Sequence, residues 1–290
     1  MRRIALAVSF IAVCVPPSLA QDFSRVQLRQ NVSVKKDVAK PAFITATFPE
    51  EGGATHEIGI GILADLTPKS VSTLLMVDAL VDYQRNTVID KPQDMLKVGA
   101  SGEWQLNAID PTAPGARFDS GLISFRANFA NDRIKDKRGV QEAIYYTHVF
   151  VGRHQFPLPN DPFRFCECLE MEYSPTIGVE VDHVLDASDV SSEISTARLM
   201  TQANVAFYPA PVTADLRVEL LVGAAWRYDM HNGGDTSKRH PLFTFGGNYY
   251  PLKTKRAQLG FGVSFVRGDD PDEGFEHQQY WQVGLKARLK

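Results

Sequence analysis

Cysteine is nearly absent from this sequence. Of its three cysteines, Cys14 lies within the first twenty residues, which leaves Cys166 and Cys168. Two thiols one residue apart make no disulfide framework, and no Cys/His zinc spacing accompanies them. Long apolar runs are also missing. After residue 20 there is no stretch of about 18 or more apolar residues, so nothing there reads as a membrane-crossing helix, and any insertion would be by strands. A dominant charge is lacking too. The 31 basic residues fall to 29 without Arg2 and Arg3, against 34 acidic ones, a formal charge of −5. That balance offers nothing to a nucleic acid. Helical periodicity is absent after residue 20.

What is present starts at the N-terminus. Arg2 and Arg3 precede a short apolar core, Ile4 to Val15, broken by Pro16 and Pro17. Ser18-Leu19-Ala20 supplies the small residues a signal peptidase reads, which predicts cleavage between Ala20 and Gln21. About a dozen apolar residues are too few to span ~30 Å of hydrocarbon. Residues 21–40 are polar and basic, with Arg25, Arg29, Lys35, Lys36 and Lys40, and read as a periplasmic N-terminal tail. Residues 41–290 form the folded unit. At 44% hydrophobic and 22% charged, the chain has the means to fold.

That unit is written in alternation. Leu216, Val218, Leu220, Val222, Ala224, Trp226 and Tyr228 alternate with Arg217, Glu219, Leu221, Gly223, Ala225, Arg227 and Asp229. Leu259, Phe261, Val263 and Phe265 share a face against Gly260, Gly262 and Ser264. Trp281, Val283, Leu285, Ala287 and Leu289 alternate with Gln282, Gly284, Lys286 and Arg288. Neighbouring side chains on a strand point to opposite faces, so each such strand has one apolar and one polar or small face. Twelve strands are predicted, near 43–48, 56–65, 73–84, 95–106, 121–130, 143–151, 177–184, 198–208, 216–229, 241–250 and in a terminal pair within 257–289. Their lengths suit the ~9–11 residues a tilted membrane strand needs. Short proline-bearing connections (66–69, 209–215, 251–256) alternate with longer charged ones (85–93, 131–139, 230–240, 268–276). Residues 152–171 break the rule, through either a miscounted strand pair or a genuine excursion. Tyr83, Trp226 and Trp281 fall at one end of their strands and Trp104, Phe207 and Tyr249 at the other, as two interfacial girdles would. The competing soluble β-sandwich lacks a reason for so consistent an outward apolar face.

With these features the chain resembles a Gram-negative outer-membrane β-barrel protein, porin-like, over roughly residues 41–290. The resemblance implies an all-β, antiparallel, up-and-down transmembrane barrel of about twelve strands, with outer-membrane lipid, lipopolysaccharide and the barrel-assembly machinery as partners. The C-terminal strand is similar to the family's assembly signal, though it ends on Leu289-Lys290 and not on an aromatic. Some twelve-stranded outer-membrane barrels are lipid hydrolases with a serine two residues after a histidine. Here Phe150 stands at that position after His148, so no enzyme is expected.

The polar faces nominate a lumen set: Asp78, Asp82, Lys97, Glu103, Arg126, Glu180, Asp182, Arg198, Arg217, Glu219, Arg227, Asp229, Lys286 and Arg288. Glu103, Arg126, Arg217, Glu219, Arg227, Lys286 and Arg288 are the selectivity candidates, because charged rings filter a water-filled pore. The same residues could neutralise one another as lumen ion pairs. Passive passage of small hydrophilic solutes is the function expected; a non-conducting structural or adhesive surface barrel is the alternative. No cofactor and no metal is expected. His154, His183 and His240 lack partners at metal-ligand spacing. The acidic run Gly268–Gly274 reads as a solvated turn, not a calcium loop. Cys166 and Cys168 form either a local disulfide or two thiols.

Overall fold

Alternating side chains build a wall only if every strand finds a neighbour on both edges. The computed structural model describes residues 26–29, 42–49, 55–67, 75–86, 92–106, 118–134, 136–151, 158–159, 163–187, 195–209, 218–232, 239–253, 257–270 and 276–289. Its strands are β1 (Val26–Arg29), β2 (Ala42–Pro49), β3 (Thr55–Asp65), β4 (Leu75–Asn86), β5 (Gln93–Gln105), β6 (Phe118–Asp132), β7 (Lys137–Val151), β8 (Phe163–Cys166), β9 (Leu169–Ala187), β10 (Thr196–Pro209), β11 (Val218–Asn232), β12 (Arg239–Lys253), β13 (Ala257–Asp270) and β14 (Glu276–Leu289).

Pairing runs β2–β3–β4–β5–β6–β7–β9–β10–β11–β12–β13–β14, antiparallel throughout, and β14 then pairs back to β2. Twelve strands thus form a closed up-and-down barrel, as the alternation predicts. Closure matters because an unpaired strand edge would leave backbone groups unsatisfied in hydrocarbon.

The two additional strands are short. β1 pairs with β3 from Val26↔Ala64 to Arg29↔Gly61, on the edge where β2 takes Phe43↔Gly59 to Thr47↔Thr55. These four residues are the described part of the stretch 21–40. Val26-Gln27-Leu28-Arg29 does alternate, but four residues are too few to register as a strand signal.

Among the described residues β8 pairs only with β9, from Phe163↔Met171 to Cys166↔Leu169. Residues 163–168 are therefore a short arm turned back along β9 and not a miscounted pair of wall strands, while 169–171 already belong to β9. The β7–β9 ladder ends at Tyr146↔Ile177. Pro175 follows that end, and a proline has no N–H to donate to a ladder. The Thr147 hydroxyl donates to the Pro175 carbonyl at 2.6 Å, and β8 takes up the edge of β9 further on. The predicted long connection at 131–139 is also different. β6 and β7 run through most of it to a turn at 133–136, where Asp136 sits at φ 45°. Asp is one of the few side chains that tolerates this left-handed geometry.

Polarity is inverted relative to a water-soluble core. Val81, Val98, Trp104, Ile177, Val179, Phe243, Phe245, Phe261, Val263, Val283 and Leu285 are all exposed. Asp78, Asp82, Lys97, Glu103, Glu180, Arg198, Glu219, Arg227, Asp229 and Lys286 are all buried. An isolated exposed leucine needs no explanation, but a belt of apolar surface around a charged interior does. The ring contacts Phe265–Trp281 at 5.1 Å and Tyr249–Phe261 at 6.2 Å lie on this outer face.

Candidate functional site

Strand register decides which lumen charges meet. One row of direct cross-strand partners reads Asp78↔Ser101↔Arg126↔Ala143↔Glu180↔Arg198↔Asp229, through β4, β5, β6, β7, β9, β10 and β11. The adjacent inward row reads Glu103↔Ser124↔Tyr145↔Gly178↔Met200↔Arg227↔His240, through β5, β6, β7, β9, β10, β11 and β12. Side chains directly opposite on neighbouring strands have Cβ atoms about 4.5–5.5 Å apart, so each row sets its side chains next to one another along the inner wall.

Glu180 is the hub. Tyr145 donates its hydroxyl to Glu180 Oε1 at 3.0 Å, and Arg227 Nε donates to Glu180 Oε2 at 2.9 Å. Arg198 donates through Nε to Asp229 Oδ1 at 3.0 Å and through Nη1 to Asp182. His240 extends the band, with Nε2 at 3.2 Å from Asp229 Oδ2 and Nδ1 at 3.1 Å from Asp269 Oδ2. His277 Nδ1 lies 3.1 Å from Asp269 Oδ1. Acid and base alternate from Asp182 through Arg198, Asp229, His240 and Asp269 to His277. Charge-assisted hydrogen bonds of this kind are about twice as strong as neutral ones, and those of the buried Arg198, Asp229 and His240 are shielded from water.

Glycine makes the crowding possible at Gly178. A Cβ there would lie 2.4 Å from the Ile144 carbonyl oxygen and 2.5 Å from Tyr145 Cδ1. The missing side chain gives the tyrosine ring its space beside Glu180.

A second cluster occupies another part of the wall. Asn248 Nδ2 and the Tyr250 hydroxyl donate to Glu219 Oε2 at 3.3 and 3.5 Å. Lys286 lies over Gly262, where an added Cβ would meet Lys286 Cε at 2.6 Å and Asn248 Oδ1 at 2.4 Å.

Among the sequence candidates, Glu103, Arg126 and Arg227 fall in the two-row band, while Glu219 and Lys286 fall in or beside the second cluster. Arg217 lies outside the described residues, and so does the side chain of Arg288, whose backbone pairs with Gln258. Asp269, read as part of a solvated acidic turn, is instead buried between His240 and His277. Residues 271–275 of that turn lie outside the described residues. Tyr145, His240, Asn128 and Asn248 were missed as site residues. Asn128 Nδ2 donates to Gln141 Oε1 at 3.1 Å. Their signal was parity: each sits on the inward register of its strand. Among the described residues no group of three or more His, Cys, Asp or Glu side chains is arranged to hold a metal ion.

A closed antiparallel wall, apolar outside and ionised inside, defines a transmembrane β-barrel. No protein-family model matches the sequence, and no curated protein matches it. Among solved structures the chain is similar to the transport unit of the autotransporter AIDA-I from Escherichia coli. That likeness is 12% identical, covers 94% of this chain and 92% of the other, and has a TM-score of 0.46. It is also similar to the outer membrane channel DcaP of Acinetobacter baumannii, 9% identical over 91% of this chain and 94% of the other, at a TM-score of 0.33.

Proposed function

We propose that this chain is exported by its N-terminal signal peptide to the outer membrane of a Gram-negative bacterium and lets small hydrophilic solutes pass through its lumen. The observation that carries the reading is the ionised band on the inner wall. Arg126, Arg198, Arg227, Glu103, Glu180, Asp182 and Asp229 set fixed charge of both signs around one zone of the barrel. In a twelve-stranded barrel, between the filled eight-stranded and the open sixteen-stranded kinds, such a band narrows the path. Solutes are then filtered by field and width. Lipid and lipopolysaccharide surround the apolar face, and the barrel-assembly machinery reads β14. No side chain of the lumen is assigned a catalytic role.

One observation favours a second reading. Glu219 is only 2% exposed and Glu103 only 3%. Charges so deeply packed serve a non-conducting structural or surface barrel equally well. Planar-bilayer recording of the refolded mature protein separates the two. Discrete small conductance steps are expected, with cation preference raised by Arg126→Gln. Absence of any step at high salt leaves the non-conducting barrel in place of the channel.

A further inference from the structure

The β8–β9 hairpin carries chemistry that neither the wall nor the lumen uses. Cys166 and Cys168 are joined as a disulfide across a sequence separation of 2. A disulfide stabilises chiefly by closing a loop in the unfolded chain, and a loop this small is at the bottom of that scale. The hairpin has other means of holding its register. Arg164 pairs with Glu170 in the ladder, and their side chains approach to 3.8 Å. Phe163 packs edge-on against Phe165 at 4.8 Å. Cys166, Glu167 and Cys168 are all exposed, so a second macromolecule can reach either sulfur. The two sulfurs are not equivalent. The Cys168 backbone N–H donates to Cys166 Sγ at 3.3 Å, which stabilises negative charge on that sulfur.

We propose that Cys166-Glu167-Cys168 is a thiol–disulfide exchange site whose partner is a protein dithiol. The partner's first thiolate attacks Cys168 Sγ, the Sγ–Sγ bond breaks, and Cys166 leaves as a thiolate. The mixed disulfide on Cys168 is then resolved by the partner's second thiolate, which attacks the partner's own sulfur and expels the Cys168 thiolate. The partner's two thiols have become a disulfide and lost two electrons. The hairpin has gained those electrons and takes up the two protons released. Run in reverse, the same steps reduce a partner disulfide. The site is the turn between β8 and β9, and the inference holds whether or not the lumen conducts.

The test uses the mature protein in detergent micelles with reduced and oxidised glutathione as the probe. Free thiols are counted by alkylation and mass spectrometry. The bond opens reversibly in millimolar reduced glutathione while the barrel stays folded, and the reduced protein alkylates at Cys166 several-fold faster than at Cys168. The double variant C166S/C168S keeps the wild-type heat-modifiability midpoint. A bond that opens only after the barrel unfolds overturns the proposal, as does a lowered midpoint in the double variant, because either makes the disulfide a structural brace. Equal alkylation rates overturn the assignment of Cys166 as the leaving sulfur.

Discussion

At the residue scale, Glu180 shows how a buried charge is made tolerable. Its two oxygens receive different donors, the neutral Tyr145 hydroxyl and the charged Arg227 guanidinium. Truncating it to alanine removes both acceptors at once and takes from Arg227 the carboxylate to which its Nε donates. Breaking a buried pair from one side costs about 3–5 kcal/mol. The expected outcome for Glu180→Ala is a loss of that order in urea unfolding of the barrel from lipid vesicles, followed by tryptophan fluorescence. Glu180→Gln keeps the shape and one acceptor oxygen, and loses roughly half as much, since hydrogen bonds to charged groups exceed neutral ones by about a factor of two. An alanine variant as stable as the wild type would mean that the hub does not hold the band together. None of these partnerships was legible in the sequence. Glu180 and Arg227 are 47 residues apart, and Asp229 and His240 lie on different strands, β11 and β12. Alternation told which residues face inward. Which of them touch depends on the register of β9, β10 and β11, and register is set by pairing across the barrel.

At the scale of the element, the strands themselves were legible because apolar and polar side chains alternate with period two for long stretches. The twelve wall strands lie where the sequence places them, most plainly where that period is sustained, with ends that differ by several residues. The misses have physical causes. β1 and β8 are four residues each, below the length at which a period can be told from chance. The period in β7 is blurred because its inward residues, Ala143, Tyr145, Thr147 and Val149, are not distinctly polar. The glycines of the inner face are of two kinds. At Gly178 a methyl group runs into the Ile144 carbonyl, which cannot move without shifting β7. At Gly262 it meets only the movable ends of Lys286 and Asn248. Gly178→Ala is therefore expected to destabilise by about 1–3 kcal/mol, the range for overpacking. Gly262→Ala costs clearly less. Denaturation midpoints of the two variants, measured side by side, check this, and equal losses would remove the distinction.

At the scale of the whole molecule, the decisive property is that the surface and the interior have exchanged polarity. Val283 on β14 makes that exchange measurable. It stands opposite Val263 on β13 and Ala46 on β2, near the middle of its strand, and is 45% exposed. In a water-soluble sandwich, arginine at so exposed a position would be neutral, since surface substitutions usually stay within about 0.5 kcal/mol. In a membrane wall the same arginine must enter hydrocarbon, at about 2–4 kcal/mol near the midplane. The two architectures thus predict different magnitudes for one substitution. Val283→Arg is expected to lower the stability of the barrel in lipid vesicles by that larger amount, whereas Val283→Leu leaves it unchanged. Leu259→Arg serves as the depth control, because it lies near the end of β13 beside Ala287 and its longer side chain can reach the headgroups. Reversible unfolding of the three variants reads the wall directly. A Val283→Arg protein as stable as the wild type would place that face in water, and the closed ring of strands would then need another reason for being apolar on its outside.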